Sequence, residues 1–352
     1  MVGRGSIHYL LFTFYCCQLR WRNRLPGDKR AERERSLVVT RVLVLGGSGM
    51  LGSTVVDWLA RDNSLNVAAT VRTEKYLEAC RTVIPEVRWH ILDAEDYYSL
   101  NTLCVAGKYD WIINAIGVTP HIIHDDNPAD VERAIQINAL FPHCLARKAK
   151  DAGGRIIQIA TDCVYAGRGG HYAEDAPHDS LDVYGKTKSL GEVRSSNVFH
   201  LRCSIVGPEL KNHLLLLGWF LRQPLGAKVR GFTNHRWNGL TSLHFAKICH
   251  GIIKHNLRLP HLQHVVPADE MTKAEMLGEF ARVYGRGDVR IERGETALAI
   301  DRTLRTKNEA LNRSIWEAAG FPGPQSIADM IREMRSFDFR FGSLATCFND
   351  QV

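Results

Sequence analysis

The sequence predicts an α/β fold, in which a doubly wound parallel sheet is followed by a smaller C-terminal lobe. The apolar run "RVLVL" (41–45) leads at once into "GGSGMLG" and then into "STVVDWLARD", whose apolar residues have helical spacing. This order indicates a strand, a glycine turn and a helix. Further apolar runs alternate with stretches long enough for helices, as in parallel βαβ units with right-handed crossovers. Runs such as "RIIQIA" (155–160) are nearly continuous in apolar residues, as expected of strands covered on both faces.

The predicted elements define four segments of the chain. The predicted strands are 41–45, 66–71, 87–92, 109–117, 154–161 and 198–206. After residue 207 the alternation loosens, and helical patterns lie near 242–255, 271–284 and 325–335. We therefore predict a poorly ordered basic extension (1–40), a larger domain (41–207), a smaller lobe with segments returning to that domain (208–340), and a tail (341–352).

The composition is that of an ordinary globular protein. Of the 352 residues, 45% are hydrophobic, which is enough for one large domain or two modest ones. The formal charge is +7, but residues 1–40 hold eight Lys/Arg against three Asp/Glu, so the remaining chain carries only +2. This nearly neutral body argues against a nucleic-acid-binding surface.

Cysteine usage indicates a reducing compartment. The nine cysteines are odd in number and form no Cys-x-x-Cys pair, so we expect reduced thiols, a cytoplasmic protein and no metal site. The cluster "HIIHDD" (121–126) is interpreted as a solvated loop before Pro128, with metal binding as the less favoured alternative.

The first 40 residues combine an apolar stretch from Ile7 to Leu19 with a basic run. A membrane-spanning helix needs about 20 apolar residues, whereas this stretch is shorter and contains His8 and Gln18. Membrane anchoring is therefore the less favoured interpretation of the extension.

The glycine turn predicts a dinucleotide site. Gly47, Gly49 and Gly52 fit G-x-G-x-x-G directly after a strand and at the start of a helix, which is the context of a Rossmann-type domain. Side chains at such a turn would block the cofactor pyrophosphate, which backbone N–H groups at the helix N-terminus would bind. The predicted cofactor-binding residues here are Gly46, Gly49, Met50, Leu51 and Gly52.

The end of the second strand predicts which nicotinamide cofactor is bound. An acidic residue about 20 positions after the glycines would favour NAD, and an arginine would accommodate the extra phosphate of NADP. The segment "TVRTEK" places Arg72 at this point, so NADPH is favoured over NADH. The alternative is that Arg72 is simply a solvent-facing residue at the strand end.

Three residues predict the reaction centre. Thr161 follows the strand "RIIQIA", at the sheet edge where ligands of parallel sheets bind. Tyr184 and Lys188 in "DVYGKTK" are four positions apart, so they share one face of a helix. In this order after a glycine turn, the three resemble the short-chain dehydrogenase/reductase superfamily. The longer string "ATDCVYAGRGGHYAEDAPHDSLDVYGKTKSLGE" is similar to the dTDP-4-dehydrorhamnose reductase family.

The chemistry requires these residue types. A phenol has a pKa of about 10, and a lysine ammonium beside Tyr184 should lower that pKa toward the working range. Tyr184 would protonate the oxygen that becomes charged as hydride reaches a carbonyl carbon, and Thr161 would donate a hydrogen bond to the same oxygen. The resemblance implies that Tyr184 and Lys188 also contact the cofactor, with Lys188 at the nicotinamide ribose.

The resemblance implies further cofactor contacts. Asp93 matches the family position that contacts the adenine, and Ala115, Ile116 and Gly117 match the stretch that lines the cofactor. Asn138 matches a helix asparagine that supports the lysine through water, although an exposed helix asparagine is equally common.

The resemblance also implies the substrate, a nucleotide-linked 4-keto-6-deoxy sugar. Asn234, Arg236 and Trp237, in "GFTNHRWNGLT" (231–241), are candidate substrate contacts, the alternative being plain loop packing. Related dehydratases carry Thr-Asp-Glu where this chain has Thr161, Asp162 and Cys163, and a cysteine is a poor substitute for that glutamate, so reduction is preferred over dehydration. A sugar-nucleotide epimerase or dehydratase of the same superfamily is the alternative.

A non-catalytic role remains open, because a shared fold does not prove turnover. The regulatory subunit of methionine adenosyltransferase resembles the same reductases and binds NADP. The oligomeric state is likewise open, and a homodimer is one alternative.

Overall fold

The computed structural model describes residues 39–211 and 213–344. Residues 1–38 and 345–352, which include nearly all of the predicted extension and most of the predicted tail, lie outside the described residues. The main element is a seven-stranded sheet in the order β11-β6-β5-β4-β1-β2-β3, in which every pair of neighbours is parallel.

The strands of this sheet are β1 (Thr40–Leu45), β2 (Leu65–Val71), β3 (Arg88–Ile91), β4 (Trp111–Asn114), β5 (Arg155–Ala160), β6 (Val198–Arg202) and β11 (Leu262–His264). The short strands outside it are β7 (Ile205–Val206), β8 (Lys228–Phe232), β9 (His235–Trp237), β10 (Leu240–Thr241), β12 (Met271–Thr272), β13 (Arg290–Gly294) and β14 (Ile300–Asp301). They form one three-stranded sheet, β12-β9-β14, and two strand pairs, β10-β7 and β13-β8.

The α-helices are α1 (Met50–Leu59), α2 (Glu74–Val83), α3 (Tyr97–Gly107), α4 (Pro128–Ala134), α5 (Phe141–Asp151), α6 (Val183–Leu190), α7 (Leu216–Leu221), α8 (Ser242–Lys254), α9 (Lys273–Tyr284), α10 (Glu309–Ala318) and α11 (Ile327–Ser336). A π-helix (Ile135–Leu140) joins α4 to α5, and 3-10 turns lie at Pro120–Ile122, Asp162–Val164 and Arg340–Leu344.

The main sheet is covered on both faces, as its apolar strands predicted. In β1, Val42 and Val44 belong to one hydrophobic cluster, while Leu43 and Leu45 belong to a second one. All four are fully buried, because successive side chains of a strand point to opposite faces. The predicted doubly wound α/β fold is therefore confirmed.

The C-terminal part of the chain contributes to the same core. Strand β11 pairs with β6 as the seventh strand, and α8 residues such as Phe245 and Ile252 belong to the cluster that contains Val42. The proposed division into segments 41–207 and 208–340 stays a prediction. None of the helices within residues 39–211 and 213–344 is both long and apolar enough to cross a membrane.

Candidate active site

In the glycine turn between β1 and α1, backbone segments pack directly against each other. Gly46 has a φ of +81°, a conformation that side chains disfavour. A Cβ at Gly52 would lie 2.1 Å from the carbonyl oxygen of Gly46, so only glycine fits there. The amide of Gly46 is held by the hydroxyl of Thr70 at 3.0 Å. The glycines that pack against one another at the turn are thus Gly46, Gly49 and Gly52. Gly47 packs against the side chain of Trp89 instead.

Helix α1 begins directly after the glycine turn that follows the carboxyl end of β1. Gly49 is the N-cap residue, and no side chain caps the helix, so the N–H groups of its first turn have no partner within the helix. The stretch after β4 packs against this turn, because a Cβ on Gly46 would lie 3.1 Å from Cγ1 of Ile116. The structure therefore brings Ala115 and Ile116 next to the glycine turn, as a dinucleotide site requires, whereas Gly117 lies beside Asn138.

Arg72 and Asp93 lie at the ends of the next two strands. Arg72 directly follows β2, is exposed, and makes no hydrogen bond or ion pair within the described part of the chain. A second cation, Lys211, lies nearby: burial, with a smaller contribution from the charge of Arg72, lowers its pKa to about 8. Asp93 follows β3, is exposed, and accepts a hydrogen bond from the amide of Glu95 at 3.1 Å.

Thr161, Tyr184 and Lys188 meet at the carboxyl end of β5. Thr161 is 8% exposed and begins the turn after β5, where its hydroxyl oxygen accepts a hydrogen bond from the amide of Cys163 at 3.1 Å. Lys188 donates a hydrogen bond from Nζ to the carbonyl oxygen of Ile159 at 3.1 Å. Burial lowers the pKa of Lys188 to about 8, and Glu192 opposes this shift.

The predicted lowering of the Tyr184 pKa is not found in this arrangement. Burial is the largest cause and raises the pKa of Tyr184 well above its usual value, and a hydrogen bond with Thr161 opposes the rise only in part. The charge of Lys188 is not among the main causes of the Tyr184 shift, and the Lys188 ammonium is hydrogen-bonded to the carbonyl oxygen of Ile159. Tyr184 is therefore a protonated phenol at neutral pH.

The start of α6, which carries Tyr184 and Lys188, is held in place by several contacts. The Asp182 carboxylate caps the helix by accepting a hydrogen bond from the amide of Gly185 at 2.6 Å. Asp125 accepts another from the amide of Val183 at 3.2 Å, so a residue of the loop interpreted as solvated positions the helix. A Cβ at Gly185 would lie 2.5 Å from the carbonyl oxygen of Cys163. The glycine after Tyr184 therefore allows α6 to approach Thr161.

A buried charge network supports the other end of α6. Arg202, at the end of β6, is fully buried and forms an ion pair with Glu192, just after α6. The Arg202 guanidinium also donates to the hydroxyl of Tyr165 at 2.7 Å, to Nε2 of His264 at 3.0 Å and to Nε2 of His178 at 2.9 Å. Both histidines accept from Arg202 and are therefore neutral, in agreement with the lowering of their pKa values by burial.

Asn138 is almost fully buried and links the loop after β4 to α6. Its amide nitrogen donates to the carbonyl oxygen of Val118 at 3.0 Å and to the hydroxyl of Thr187 at 3.4 Å, and its oxygen accepts from the amide of Val118 at 2.9 Å. It lies in the π-helix (Ile135–Leu140), a feature frequent at functional sites. Its predicted support of Lys188 through water stays a prediction.

The three predicted substrate contacts lie on and beside β9 but differ in availability. The side chain of Asn234 is hydrogen-bonded to the backbone of Thr296. Nδ2 of Asn234 donates to the Thr296 carbonyl oxygen at 2.8 Å, and Oδ1 of Asn234 accepts from the Thr296 amide at 3.2 Å. Arg236 forms an ion pair with Glu270 and lies 3.9 Å from a carboxylate oxygen of Asp301. Trp237 is 6% exposed. Internal contacts therefore occupy the first two side chains.

The structure also places charged residues at the site that the sequence pattern did not indicate. Lys273 and Arg302 lie close enough to the buried Asp162, beside Thr161, for their charges to lower its pKa, although burial is the larger cause and raises it. Burial also raises the pKa of Cys163 to about 12, so this side chain is a neutral thiol. No group of three or more His, Cys, Asp or Glu in residues 39–211 and 213–344 is arranged to hold a metal ion.

Comparison with known proteins reveals a family model and relatives that match part of the chain. Residues 40–209 match the family model described as RmlD substrate binding domain. Methionine adenosyltransferase 2 subunit beta of Mus musculus is 27% identical over 194 residues, which are 54% of this chain and 50% of that protein. The dTDP-4-dehydrorhamnose reductase of Streptomyces griseus is 29% identical over 153 residues, 43% of each chain. The matches thus span half or less of these relatives.

A solved structure extends the likeness to most of the fold. The dTDP-4-dehydrorhamnose reductase from Bacillus anthracis str. Ames, in complex with NADP, has a TM-score of 0.65 and 18% identity. The match covers 84% of this chain and 99% of that chain. At this identity the similarity shows a shared Rossmann-type fold.

Proposed function

Because residues 40–209 belong to the RmlD substrate binding domain family, we propose that this chain reduces a nucleotide-linked 4-keto-6-deoxy sugar with NADPH. The observation that carries the proposal is the meeting of Thr161, Tyr184 and Lys188 at the carboxyl end of β5, beside the α6 start. Carboxyl ends of strands in open α/β sheets are where ligands bind.

The residues of the glycine turn fit a nicotinamide dinucleotide. The uncapped N-terminus of α1 provides N–H groups for the pyrophosphate, and the absence of a side chain at Gly52 lets Gly46 approach it closely. Arg72 and Lys211 would bind the 2′-phosphate that distinguishes NADPH from NADH. Bound there, NADPH would supply the hydride.

Side chains of this protein would supply the proton that the substrate carbonyl oxygen takes up. Tyr184 is protonated at neutral pH, so it can donate a proton to the carbonyl oxygen of the substrate as negative charge develops there. Thr161 would donate a hydrogen bond to the same oxygen. Lys188 fixes the distance between α6 and β5 through its bond to Ile159 and supplies a positive charge to the site.

Dehydration fits the site less well than reduction. Water elimination needs an additional acid and base near Tyr184. With its pKa raised to about 12, Cys163 stays protonated at neutral pH and cannot act as the base.

A non-catalytic NADP-binding subunit is the second candidate function. The match to methionine adenosyltransferase 2 subunit beta favours it, since that match (27% identity over 194 residues) is comparable to the match to the Streptomyces griseus reductase (29% identity over 153 residues). Both candidates bind a dinucleotide, so cofactor binding alone does not separate them.

The test is NADPH consumption by the purified chain with a panel of 4-keto-6-deoxy sugar nucleotides. Turnover by the parent and its loss in Tyr184→Phe would support the reductase. Tight NADPH binding by the parent without turnover on any sugar would contradict it and favour the non-catalytic role. Turnover retained in Tyr184→Phe would contradict the assignment of the proton donor.

A further inference from the structure

A buried tryptophan lies directly behind the glycine turn. A Cβ placed on Gly47 would come within 2.8 Å of Cζ3 of Trp89 and 3.2 Å of Cβ of Ala69, so the turn backbone rests on these side chains. Trp89 lies in β3, is 2% exposed, and donates a hydrogen bond from Nε1 to the carbonyl oxygen of Ile84 at 3.2 Å. Because protein interiors are close-packed, a displacement of the Trp89 ring is transmitted to the turn.

The Trp89 ring also packs against the C-terminal end of the described chain. The ring of Phe341 meets it edge to face, with 6.1 Å between the ring centres and 82° between the planes. Phe341 is 2% exposed and belongs to the same hydrophobic cluster as Trp89. Both rings are thus enclosed by the protein, and a dinucleotide at the glycine turn would contact the turn backbone rather than either ring.

Arg340, next to Phe341, binds the middle of α1. Asp57 is fully buried in this helix, and its two carboxylate oxygens accept hydrogen bonds from the backbone amide and from Nε of Arg340, both at 2.8 Å. Nη2 of Arg340 donates to the carbonyl oxygen of Asp57 at 2.9 Å, and Nη1 forms an ion pair with Glu86. A buried carboxylate that loses its donors is costly, so these bonds hold Arg340 and Phe341 against α1.

A second set of contacts secures the residues just before Arg340. The ring of Phe337 packs against Trp58 of α1 with 5.8 Å between the ring centres, and the guanidinium carbon of Arg61 lies 4.5 Å from the centre of the Phe337 ring. Nη2 of Arg61 also donates to the carbonyl oxygen of Asp338 at 2.6 Å. Residues 337–341, which we call the C-terminal clasp, therefore contact both α1 and the ring behind the glycine turn.

The two elements that the C-terminal clasp contacts are those that would bind the dinucleotide. The glycine turn and the first turn of α1 would offer backbone N–H groups to the pyrophosphate. Binding groups of this kind must be held within about 0.5 Å of their working positions. Glycines have no side chains with which to fix the turn, so the side chains packed behind the turn set its position.

We propose that the C-terminal clasp positions the glycine turn, and that Phe341, acting through Trp89, is a positioning residue for the dinucleotide. The inference rests on the cofactor site of the proposed function, and it applies equally to a reductase and to a non-catalytic dinucleotide-binding protein. Coupling between two sites is reciprocal, so a bound dinucleotide should in turn hold the C-terminal clasp more firmly in place.

The test compares NADPH affinity with stability in the full chain. Phe341→Ala leaves a void beside Trp89, so the melting temperature should fall. The NADPH affinity should fall by about 5-fold or more, the lower end of couplings between distinct sites. Phe341→Leu keeps an apolar side chain beside Trp89 and should retain most of the affinity. Titration calorimetry at a temperature where every variant is folded measures the dissociation constants.

Phe280→Ala is the matched control. Phe280, in α9, is fully buried in the same hydrophobic cluster and packs against Phe220 with 6.1 Å between the ring centres. Its loss should lower the melting temperature by a similar amount and leave the NADPH affinity unchanged. The inference is overturned if Phe341→Ala binds NADPH as tightly as the parent, or if Phe280→Ala loses as much affinity as Phe341→Ala.

Amide hydrogen exchange in the parent decides the matter should Phe341→Ala fail to fold. The amide of Arg340 donates to Asp57, and the amide of Gly342 donates to the carbonyl oxygen of Phe339 at 2.9 Å. With NADP⁺ bound, exchange at these two amides should slow by a larger factor than in β13 (Arg290–Gly294), which pairs with β8. An equal or smaller factor at the two amides overturns the inference.

The inference and the reductase can fail separately. NADPH binding that depends on Phe341, in a chain that reduces no sugar, would leave the inference standing and remove the reductase. If the parent reduces a sugar, Phe341→Ala should raise the KM for NADPH and keep kcat at saturating cofactor, and an unchanged KM would remove the inference alone. A parent that binds no dinucleotide would remove both.

Discussion

Nζ of Lys188 lies 3.1 Å from the carbonyl oxygen of Ile159, to which it donates a hydrogen bond. This bond connects α6, which carries Tyr184, to β5, which leads into Thr161. The same ammonium is buried, so its pKa is lowered to about 8. Lys188 thus combines a positioning contact with a charge that titrates near physiological pH.

The first prediction concerns pH. Because the folded-state pKa of Lys188 is about 8 against a usual 10.5, its positive charge is lost as the pH rises through about 8. We expect kcat/KM for NADPH-dependent reduction to fall above that pH. Lys188→Arg keeps the charge, so its profile should stay flat to higher pH. An unchanged fall in Lys188→Arg would assign the titration to another group.

The same shift predicts the effect of pH on stability. Between about pH 8 and 10.5 the unfolded chain binds a proton at Lys188 that the folded chain has released. The free energy of unfolding should therefore contain a contribution that increases with pH in this window. Comparison of urea unfolding of the parent and of Lys188→Met across that window measures it, and an identical pH dependence in the two proteins would contradict it.

The second prediction concerns the proton donor. Tyr184→Phe removes one oxygen and little volume, so folding and NADPH binding should persist while reduction falls by about 100-fold or more, the usual scale for a lost general acid. Thr161→Val is the comparison and should cost less, since water can replace a hydroxyl donor but not a positioned acid. A larger loss in Thr161→Val than in Tyr184→Phe would reverse the two roles.

The third prediction concerns cofactor choice. Arg72→Asp should weaken NADPH binding and relatively favour NADH, because a carboxylate repels the 2′-phosphate and can bind a ribose hydroxyl. The measurement is the ratio of the two dissociation constants. Lys211→Met should weaken NADPH binding less, and without a gain for NADH, since it removes one cation and adds no carboxylate. An unchanged ratio in Arg72→Asp would remove Arg72 from the cofactor site.

The fourth prediction concerns the glycine turn. Gly52→Ala would place a Cβ 2.1 Å from the carbonyl oxygen of Gly46, so the turn must shift. We expect a loss of about 2 kcal/mol or more in the free energy of unfolding. Gly278→Ala, inside α9, meets no atom within 4 Å and should stabilise the protein by about 0.4–1 kcal/mol. Thermal unfolding of the two variants and the parent measures both changes in stability. Equal changes in Gly52→Ala and Gly278→Ala would contradict the steric argument.

Sequence patterns were informative wherever the determining contacts are local. The run "RVLVL" is buried on both faces in β1, and the helix predicted near 271–284 corresponds to α9. Tyr184 and Lys188 lie on one helix, as their spacing indicated. Strand periodicity and the four-residue spacing of helix neighbours depend on adjacent residues only.

Contacts between distant segments were decided by the tertiary structure alone. Strand β11 has three residues, too few for a recognisable pattern, and exists because it pairs with β6. Lys273 follows an ordinary capping box, and only folding brings it beside Trp237. The sequence also suggested that Lys188 would lower the pKa of Tyr184, whereas burial raises that pKa. The loss of hydration that shifts a pKa depends on every segment packed around the group, which residue spacing does not record.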